Sequence, residues 1–370
     1  MKTIKVLTLI AIIAIFQGCG EKKETVATLK IGHVGHDHHL PLFIALDMAE
    51  ENQKEFCPPN VTIKKIKDKE RYELHKNGKN IMNFDIVKVG GGSKMPTALA
   101  QNIIDIGYGG VAPVLASIDK GSPIKIISPL HSKGDSFVLN PKFPANNWSE
   151  FVNVAKQAKM PIKIGYKSPV AVAKIIFENA LTHEGISFSS DVTNSQVKIH
   201  LINVKGGGKL NVSLSNGIID GYTGNNPFPA IGAEKGILKV IADLENLPPR
   251  DFLNHPCCCI AANPQSLNDK TEAVKILMSI NKKAVELINK DLQKSAEIAS
   301  RWIGSSIEVE KKSIVTSGYS MNPSKDWHQT MSVWVTSMNK LNFFQKSLKG
   351  LSEKEISKKA YDFQYLNINE

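Results

Sequence analysis

The residues best suited to chemistry in this sequence fall in two short runs. The first, GHVGHDHHL, places four histidines, at positions 33, 36, 38 and 39, around Asp37. Imidazoles and a carboxylate at this density are typical ligands of Zn²⁺ and other transition metals. Adjacent His38 and His39 tend to point apart, so the run does not predict that all share one ion. Three interpretations stay open: ligand contact by one or two imidazoles, a metal site, and a solvated loop.

The second run, HPCCCI, holds three of the five cysteines in the chain. Strand geometry predicts that Cys257 and Cys259 lie on one face and Cys258 on the other. Three interpretations compete: small buried strand residues, a ligand or metal site that includes His255, and a disulfide to Cys57. We expect Cys257 or Cys259 to lie near a bound solute.

The N-terminus predicts export and a lipid anchor. Two lysines precede an apolar stretch at residues 6–16 that is too short to span a bilayer comfortably. The glycine before Cys19 resembles a bacterial lipobox. We therefore predict a signal peptide over 1–18, lipidation of Cys19, a tether over 19–27, and a location on the periplasmic or extracellular face of the cell membrane.

Composition favours a globular body outside the cytoplasm. The chain has 370 residues, 42% hydrophobic and 22% charged, which fits two lobes that each bury a core. Removal of the signal peptide would delete two lysines and no acid, which lowers the net charge from +11 to +9. Because an export signal argues against nucleic acid as a partner, we interpret this charge as a solvated basic surface with mild attraction for an anionic ligand. We expect a monomer.

Two distant segments share one pattern. VKVGGGSKMPTALAQNIIDIGYGGVAPVLA (87–116) and INVKGGGKLNVSLSNGIIDGYTGNNPFPAI (202–231) each read as strand, triple glycine, helix, strand, glycine turn and helix. Two such βαβ units predict two related lobes with parallel strands. The carboxyl ends of these strands should face a common crevice.

The turns after these strands supply most of the candidate binding residues. Glycines in GYGG and GYTGNN let backbone N–H groups approach a ligand, and their polar side chains add contacts. Ser168 is predicted to cap a helix that has Pro169 in its first position, which makes an anion site. We predict no catalytic residue, metal ligand or cofactor. The predicted ligand-binding residues are His33, His36, His38, His39, Tyr108, Gly109, Gly110, His131, Ser168, Pro169, Val170, Tyr222, Thr223, Asn225, Cys257 and Cys259.

Several of these motifs occur together in one family. The lipobox, the LPLFIALDMAEEN helix after the first strand, ALAQNIIDIGYGG and GYKSPVAVAKIIF together resemble the nitrate/sulfonate/taurine-type substrate-binding proteins of ABC importers. The resemblance implies an α/β type II periplasmic-binding fold, with two lobes of parallel-rich sheets joined by two crossover hinge segments. It places residues 28–137 plus 256–350 in one lobe, 138–255 in the other, and 351–370 in a C-terminal extension.

The same resemblance implies a function. The protein would capture a small anionic or heteroaromatic solute, such as a sulfonate, a nitrate-like ion or a thiamine-pyrimidine-like compound, by hinge closure. It would then deliver this solute to the permease subunits of an ABC transporter, with its own membrane attachment through the lipid on Cys19. No enzyme activity is expected.

An alternative comes from the hydroxymethylpyrimidine synthase of thiamine biosynthesis, which belongs to the same superfamily. Its run of three cysteines, an apolar residue and a fourth cysteine is similar to Cys257–Ile260, but Ala261 stands at the fourth position. Its donor histidine is matched by Pro113, eight residues after Asp105. We therefore favour a binding protein, and keep as the alternative a metal-binding or thiamine-precursor-related enzyme that uses His33–His39 and Cys257–Cys259.

Overall fold

The structure is a computed structural model that describes residues 26–92 and 94–366. The predicted signal peptide, the predicted lipidation site Cys19 and most of the predicted tether lie outside these residues. In the described part of the chain, no helix is both long and apolar enough to cross a membrane.

The described residues form fourteen strands and thirteen α-helices, numbered here in chain order. The strands are β1 Thr28–His33, β2 Val61–Lys67, β3 Arg71–Lys76, β4 Lys79–Lys88, β5 Ile106–Gly110, β6 Lys125–Lys133, β7 Asp135–Leu139, β8 Ile162–Tyr166, β9 Phe188–Ser189, β10 Ile199–Asn203, β11 Gly221–Asn225, β12 Lys239–Asp243, β13 Pro256–Ala262 and β14 Ser317–Tyr319. The helices are α1 Leu40–Glu51, α2 Gln53–Phe56, α3 Met95–Ala100, α4 Val111–Asp119, α5 Trp148–Gln157, α6 Val172–His183, α7 Leu210–Ser215, α8 Phe228–Glu234, α9 Thr271–Lys290, α10 Leu292–Ile303, α11 Ile307–Val315, α12 Lys325–Lys340 and α13 Glu353–Ala360.

The strands form two sheets, one in each lobe. The first has the order β14-β6-β13-β5-β1-β4-β3-β2, and the second has the order β12-β7-β11-β8-β10-β9. In each sheet a parallel centre, β5-β1-β4 or β11-β8-β10, continues into antiparallel strands. The prediction of two α/β lobes with parallel-rich sheets is confirmed.

The internal sequence repeat corresponds to a repeat of structure. The IID segment before β5 and the one before β11 each end in an aspartate that binds the neighbouring central strand. Asp105 Oδ2 accepts a hydrogen bond from the Lys30 N–H at 2.8 Å, and Asp220 Oδ2 accepts one from the Lys163 N–H at the same distance. These two contacts hold equivalent strands together, which explains why the same three-residue motif recurs in both lobes.

The chain crosses between the lobes twice. Gly134 alone separates β6 of the first sheet from β7 of the second, and residues 244–255 lead from β12 back to β13. Gly134 has a φ of +73°, in the left-handed region that favours glycine. The change of sheet at this residue precedes the boundary at 137 that the sequence predicts.

Helices of the C-terminal third cover the first lobe. Among them are α9, with 20 residues, and α12, with 16 residues. Trp334 on α12 is fully buried, and its Nε1–H donates to the Pro256 carbonyl at the start of β13, at 2.8 Å. Residues 351–366 also pack on this lobe, where the Asp362 N–H donates to the Ile126 carbonyl at 2.9 Å.

Candidate functional site

A cleft of about 740 Å³ lies between the lobes, where the carboxyl ends of β1, β4, β8 and β10 meet. This is the position at which open α/β sheets bind ligands. The two glycine runs of the sequence repeat face it from opposite lobes. The lining residues are Val34, His36, Lys88, Val89, Gly90, Gly91, Gly92, Lys94, Lys167, Ser168, Pro169, Asn203, Lys205, Gly206, Gly207, Gly208, Asn225 and Phe228.

Four lysines give the cleft its charge. Lys88 and Lys94 come from the first lobe, Lys167 and Lys205 from the second, and no acidic residue occurs among the described lining residues. The ammonium of Lys167 donates a hydrogen bond to Asn225 Oδ1 inside the cleft. A concave surface lined by charges of one sign concentrates ions of the opposite sign, so this cleft attracts anions.

Sequence reasoning missed these lysines, although each follows a strand or flanks a glycine run. The scattered lysines predict a solvated basic surface with mild attraction for an anionic ligand, but they single out none of these four residues. Four lysines become a site only because the two halves of the repeat face each other. One signal in the sequence points to them: Lys88 lies two residues before the first glycine run, and Lys205 lies directly before the second.

The glycine runs need glycine for conformational reasons. Gly91 and Gly206 have φ values of +143° and +139°, which side-chain-bearing residues rarely adopt. At Gly207 an added Cβ would lie 2.4 Å from the Phe228 ring. The loops therefore keep bare backbone at the cleft wall, where N–H groups can approach a ligand closely.

Of the predicted ligand-binding residues, four line this cleft: His36, Ser168, Pro169 and Asn225. The rest lie elsewhere among the described residues. Those outside the lining are His33, His38, His39, Tyr108, Gly109, Gly110, His131, Val170, Tyr222, Thr223, Cys257 and Cys259.

Ser168 lies in a turn and does not cap a helix. Helix α6 begins at Val172 after Ala171, and no side chain caps it. The Ala171 N–H instead donates to the Ser168 carbonyl at 3.1 Å, which closes a turn around Pro169 and Val170. The predicted helix start at Pro169 is therefore wrong, because the proline occupies a turn that it favours equally well.

The two tyrosines of the glycine turns form hydrogen bonds within their own lobes. Tyr108 is fully buried, and its hydroxyl donates to Asn281 Oδ1 at 3.0 Å. Tyr222 is also fully buried, and its hydroxyl donates to Asn211 Oδ1 at 2.8 Å. Their phenol groups stabilise the two cores and do not reach the cleft.

The histidine run is buried and not a solvated loop. His33, His36, His38 and His39 are each at most 7% exposed. Burial, the largest cause in each case, lowers the pKa of His33 to about 4 and moves the pKa of the other three well below the ordinary imidazole value. Neutral imidazoles are the form that binds metals and accepts hydrogen bonds. Only His36 reaches the cleft.

Cys257 and Cys258 lie on the same side of their strand. Both sulfurs approach His38 Nδ1, at 3.4 Å from Cys257 Sγ and 3.8 Å from Cys258 Sγ, and the two sulfurs are 3.9 Å apart. The predicted alternation is wrong here, because the pairing of β13 with β6 shifts register on both sides of Cys258. Such bulges place successive side chains on one face.

The described cysteines form no disulfide. Cys57, Cys257, Cys258 and Cys259 are all free thiols. Burial raises the pKa of the Cys57 thiol to about 11 and the pKa of the Cys257 and Cys259 thiols well above the ordinary value. The disulfide interpretation of the cysteine run is therefore not supported by this structure.

Each crossover adds one more polar group. Asp135 Oδ2 lies 3.2 Å from Cys257 Sγ and 3.5 Å from His255 Nε2. His255 Nδ1 donates to the Phe252 carbonyl at 2.8 Å. Asp135 and His255 each lie beside a crossover, so this polar group joins both connections between the lobes.

Two lobes with parallel-centred sheets, two crossovers and an interlobe cleft define the periplasmic-binding-protein type of fold. Several solved structures share it at low sequence identity. The ligand-binding component of an ABC-type import system from Staphylococcus aureus, with zinc bound, has a TM-score of 0.69 at 16% identity and covers 92% of this chain and 97% of its own. The nitrate-binding protein NrtA from Synechocystis has a TM-score of 0.69 at 12% identity, with 92% and 87% covered.

A third structure, the alkanesulfonate-binding protein SsuA from Xanthomonas axonopodis bound to MOPS, has a TM-score of 0.61 at 13% identity, with 86% and 95% covered. These likenesses confirm the predicted fold. Residues 22–304 match the NMT1-like family, and the chain belongs to that family. An uncharacterized protein from Methanocaldococcus jannaschii is 36% identical to this chain over 137 aligned residues. The alignment covers 36% of this chain and 92% of that protein.

Proposed function

We propose that this protein is the extracytoplasmic solute-binding lipoprotein of an ABC importer, and that it captures a small anion in the interlobe cleft. Four lysines and no acid among the described lining residues carry this proposal. The lipid would be attached to Cys19, and a monomer would deliver the solute to the permease. No bond in the solute is made or broken.

The chemistry of the cleft favours an anion with several acceptor oxygens. Lys88 and Lys205 supply charge from opposite lobes, and the glycine runs supply backbone N–H groups beside them. Sulfonates, nitrate and carboxylates match such donors. Phe228 adds an aromatic face at the same wall, which also suits the pyrimidine ring of a thiamine precursor. The sulfonate- and nitrate-binding proteins of the same fold support the oxyanion class.

Hinge closure is the proposed mode of capture. The lobes touch beside the cleft through Asn226, which follows β11. Its Nδ2–H donates to the Ser313 carbonyl at 3.0 Å and to Thr316 Oγ1 at 2.7 Å, both at the end of α11 in the other lobe. Opening must break these contacts, and a solute bound to lysines of both lobes would favour closure.

A binding experiment with a matched lysine pair tests the proposal. Isothermal titration with ethanesulfonate, nitrate, acetate and the hydroxymethylpyrimidine precursor of thiamine should reveal binding of at least one compound to the wild-type protein. Lys167→Gln should weaken this binding by about 1.5–3 kcal/mol, the contribution of a charged hydrogen bond, or about 10- to 150-fold in Kd.

Lys163→Gln is the control, because Lys163 is an exposed lysine on β8, the strand that ends just before Lys167, and it does not line the cleft. It should leave Kd unchanged. Equal affinity of Lys167→Gln and wild type for every bound anion would contradict the assignment of the cleft. Binding of neutral compounds only would contradict the anion class.

A further inference from the structure

Four potential metal donors converge beside the crossovers, three of them on the strands β6 and β13 that flank these crossovers. His131 lies on β6, Cys257 and Cys258 lie on β13, and His38 lies in the short 3₁₀ turn after β1. One donor atom of each lies within 4.8 Å of all the others. All four side chains are buried. Strand pairing places Cys258 opposite His131, and the register shifts beside Cys258 bring the second thiol to the same side.

The distances match the edges of a zinc tetrahedron. Bond lengths of about 2.3 Å to sulfur and about 2.0–2.1 Å to nitrogen give sulfur–sulfur edges of about 3.8 Å and sulfur–nitrogen edges of about 3.6 Å. The two sulfurs are 3.9 Å apart, and His38 Nδ1 lies 3.4 Å from Cys257 Sγ and 3.8 Å from Cys258 Sγ. Small adjustments of the side chains would complete the coordination.

His38 is already oriented as a ligand. Its Nε2 lies 3.1 Å from the Gly134 carbonyl, an acceptor, so Nε2 carries the proton and Nδ1 presents its lone pair to the two sulfurs. A backbone carbonyl that holds the second ring nitrogen is the usual support of a metal-bound histidine.

Hydrogen bonding among the thiols does not account for the whole cluster. Without a metal, the Cys257 thiol can donate to Asp135 Oδ2, and the Cys258 thiol to His38 Nδ1. His131 stays unexplained, because it is 3% exposed and neither ring nitrogen has a hydrogen-bond partner. A buried polar group without a partner is uncommon and calls for an ion, a water or a functional role. A metal ion would satisfy it.

We propose that His38, His131, Cys257 and Cys258 form a buried tetrahedral site for a thiophilic divalent metal ion such as Zn²⁺. This assignment is independent of the solute cleft and differs from the sequence-based expectation of no metal ligand. Binding releases both thiol protons to solvent, so the two thiolates neutralise the ion. The site would tie the β6 end of one crossover to the β13 start of the other, and so fix the hinge about which the lobes move.

Cobalt substitution tests the site directly. The full chain, reduced with a phosphine and freed of metal, is titrated with Co²⁺ and followed by absorption. Wild type should bind one equivalent, with a thiolate-to-cobalt charge-transfer band and the visible bands of tetrahedral Co²⁺. Zn²⁺ should then displace the cobalt and abolish both. Metal analysis of the protein as purified should find about one zinc or similar ion per chain.

Cys257→Ser and Cys259→Ser form the matched pair. Cys259 is a buried free thiol on the same strand but outside the cluster, so its variant should keep both sets of bands. Cys257→Ser should weaken or lose the charge-transfer band. His131→Gln keeps all thiols but removes one proposed ligand. Loss of a group that only supports a ligand costs about 10- to 100-fold in metal affinity, and His131→Gln should weaken Co²⁺ affinity by more than that.

Circular dichroism of each variant shows whether it has folded, and Cys258→Ala replaces Cys257→Ser if the latter has not. The proposal is wrong if wild type shows no charge-transfer band. It is also wrong if the band is equally strong in Cys257→Ser or lost in Cys259→Ser. Anion binding in the cleft is measured separately, so failure here leaves the solute assignment unaffected.

Discussion

Gly134, the single residue between the two sheets, allows a quantitative test of the hinge. Its φ of +73° lies in the left-handed region. A Cβ built there would lie 2.5 Å from Ser317 Oγ, 3.0 Å from His38 Nε2 and 3.3 Å from His131 Cε1. Gly134→Ala therefore carries both a backbone and a steric penalty, and its methyl group would press on the hydrogen bond between His38 and the Gly134 carbonyl.

The two penalties have different sizes. The left-handed conformation costs an alanine about 1 kcal/mol. The contact with Ser317 requires that hydroxyl to move and forces His38 to shift, which costs about 1–2 kcal/mol more, as for other overpacked sites. We expect Gly134→Ala to lower the free energy of unfolding by about 2–3 kcal/mol.

Gly350→Ala separates the two terms. Gly350 has nearly the same φ, +72°, but nothing lies within 4 Å of its built Cβ. It should cost about 1 kcal/mol, the backbone part alone. Urea unfolding followed by tryptophan fluorescence gives both values by linear extrapolation. The double variant Gly134→Ala/Ser317→Ala should recover part of the difference. If Gly134→Ala costs no more than Gly350→Ala, the steric reasoning about the hinge fails.

Two further predictions concern buried carboxylates. Burial raises the pKa of Glu310 to about 7 from an ordinary value of 4.5, so the folded state holds its proton over that interval and the unfolded state does not. Burial also raises the pKa of Asp37, with the charge of Glu310 as the next cause. The stability of the wild type should therefore fall as pH rises from about 4.5 towards 7, and Glu310→Gln should make this fall shallower without abolishing it in a plot of unfolding free energy against pH; an unchanged slope contradicts the assignment. Asp105 accepts from a backbone N–H and from Lys270 Nζ at 2.7 Å, whereas its structural equivalent Asp220 accepts from the backbone N–H of β8 without that lysine. Asp105→Ala should thus cost about 3 kcal/mol in urea unfolding and Asp220→Ala about 1–2 kcal/mol, and equal costs would show that the lysine contributes nothing.

The fold was predictable because it rests on patterns that are local and repeated. The glycine runs and the IID segments recur at similar spacing, and each IID segment ends in the aspartate that binds a neighbouring strand. The motif is visible within each segment, although the aspartates bind Lys30 on β1 and Lys163 on β8, outside the repeated segments. Two copies then imply two lobes and a cleft at the ends of the strands. Membership of the NMT1-like family agrees with this reasoning.

The candidate site was only partly predictable, because its members are assembled from distant segments. Ser168 was assigned to a helix start from its type and its proline neighbour, yet the chain forms a turn there. Cys257 and Cys258 were placed on opposite faces by the period of a regular strand, yet register shifts beside Cys258 put both on one face. Neither a turn that replaces the first helical residues nor a bulge leaves a strong local pattern in a single sequence.

The sequence by itself determined that the histidine and cysteine runs hold metal-type donors and that two related lobes surround a cleft. Only the tertiary structure decided that four lysines share that cleft, since Lys88 and Lys205 come from opposite lobes. It also decided that His38 and His131 meet Cys257 beside the crossovers. The physical reason is that residue type sets which bonds a side chain can make, whereas strand pairing across the crossovers sets which partners come within reach.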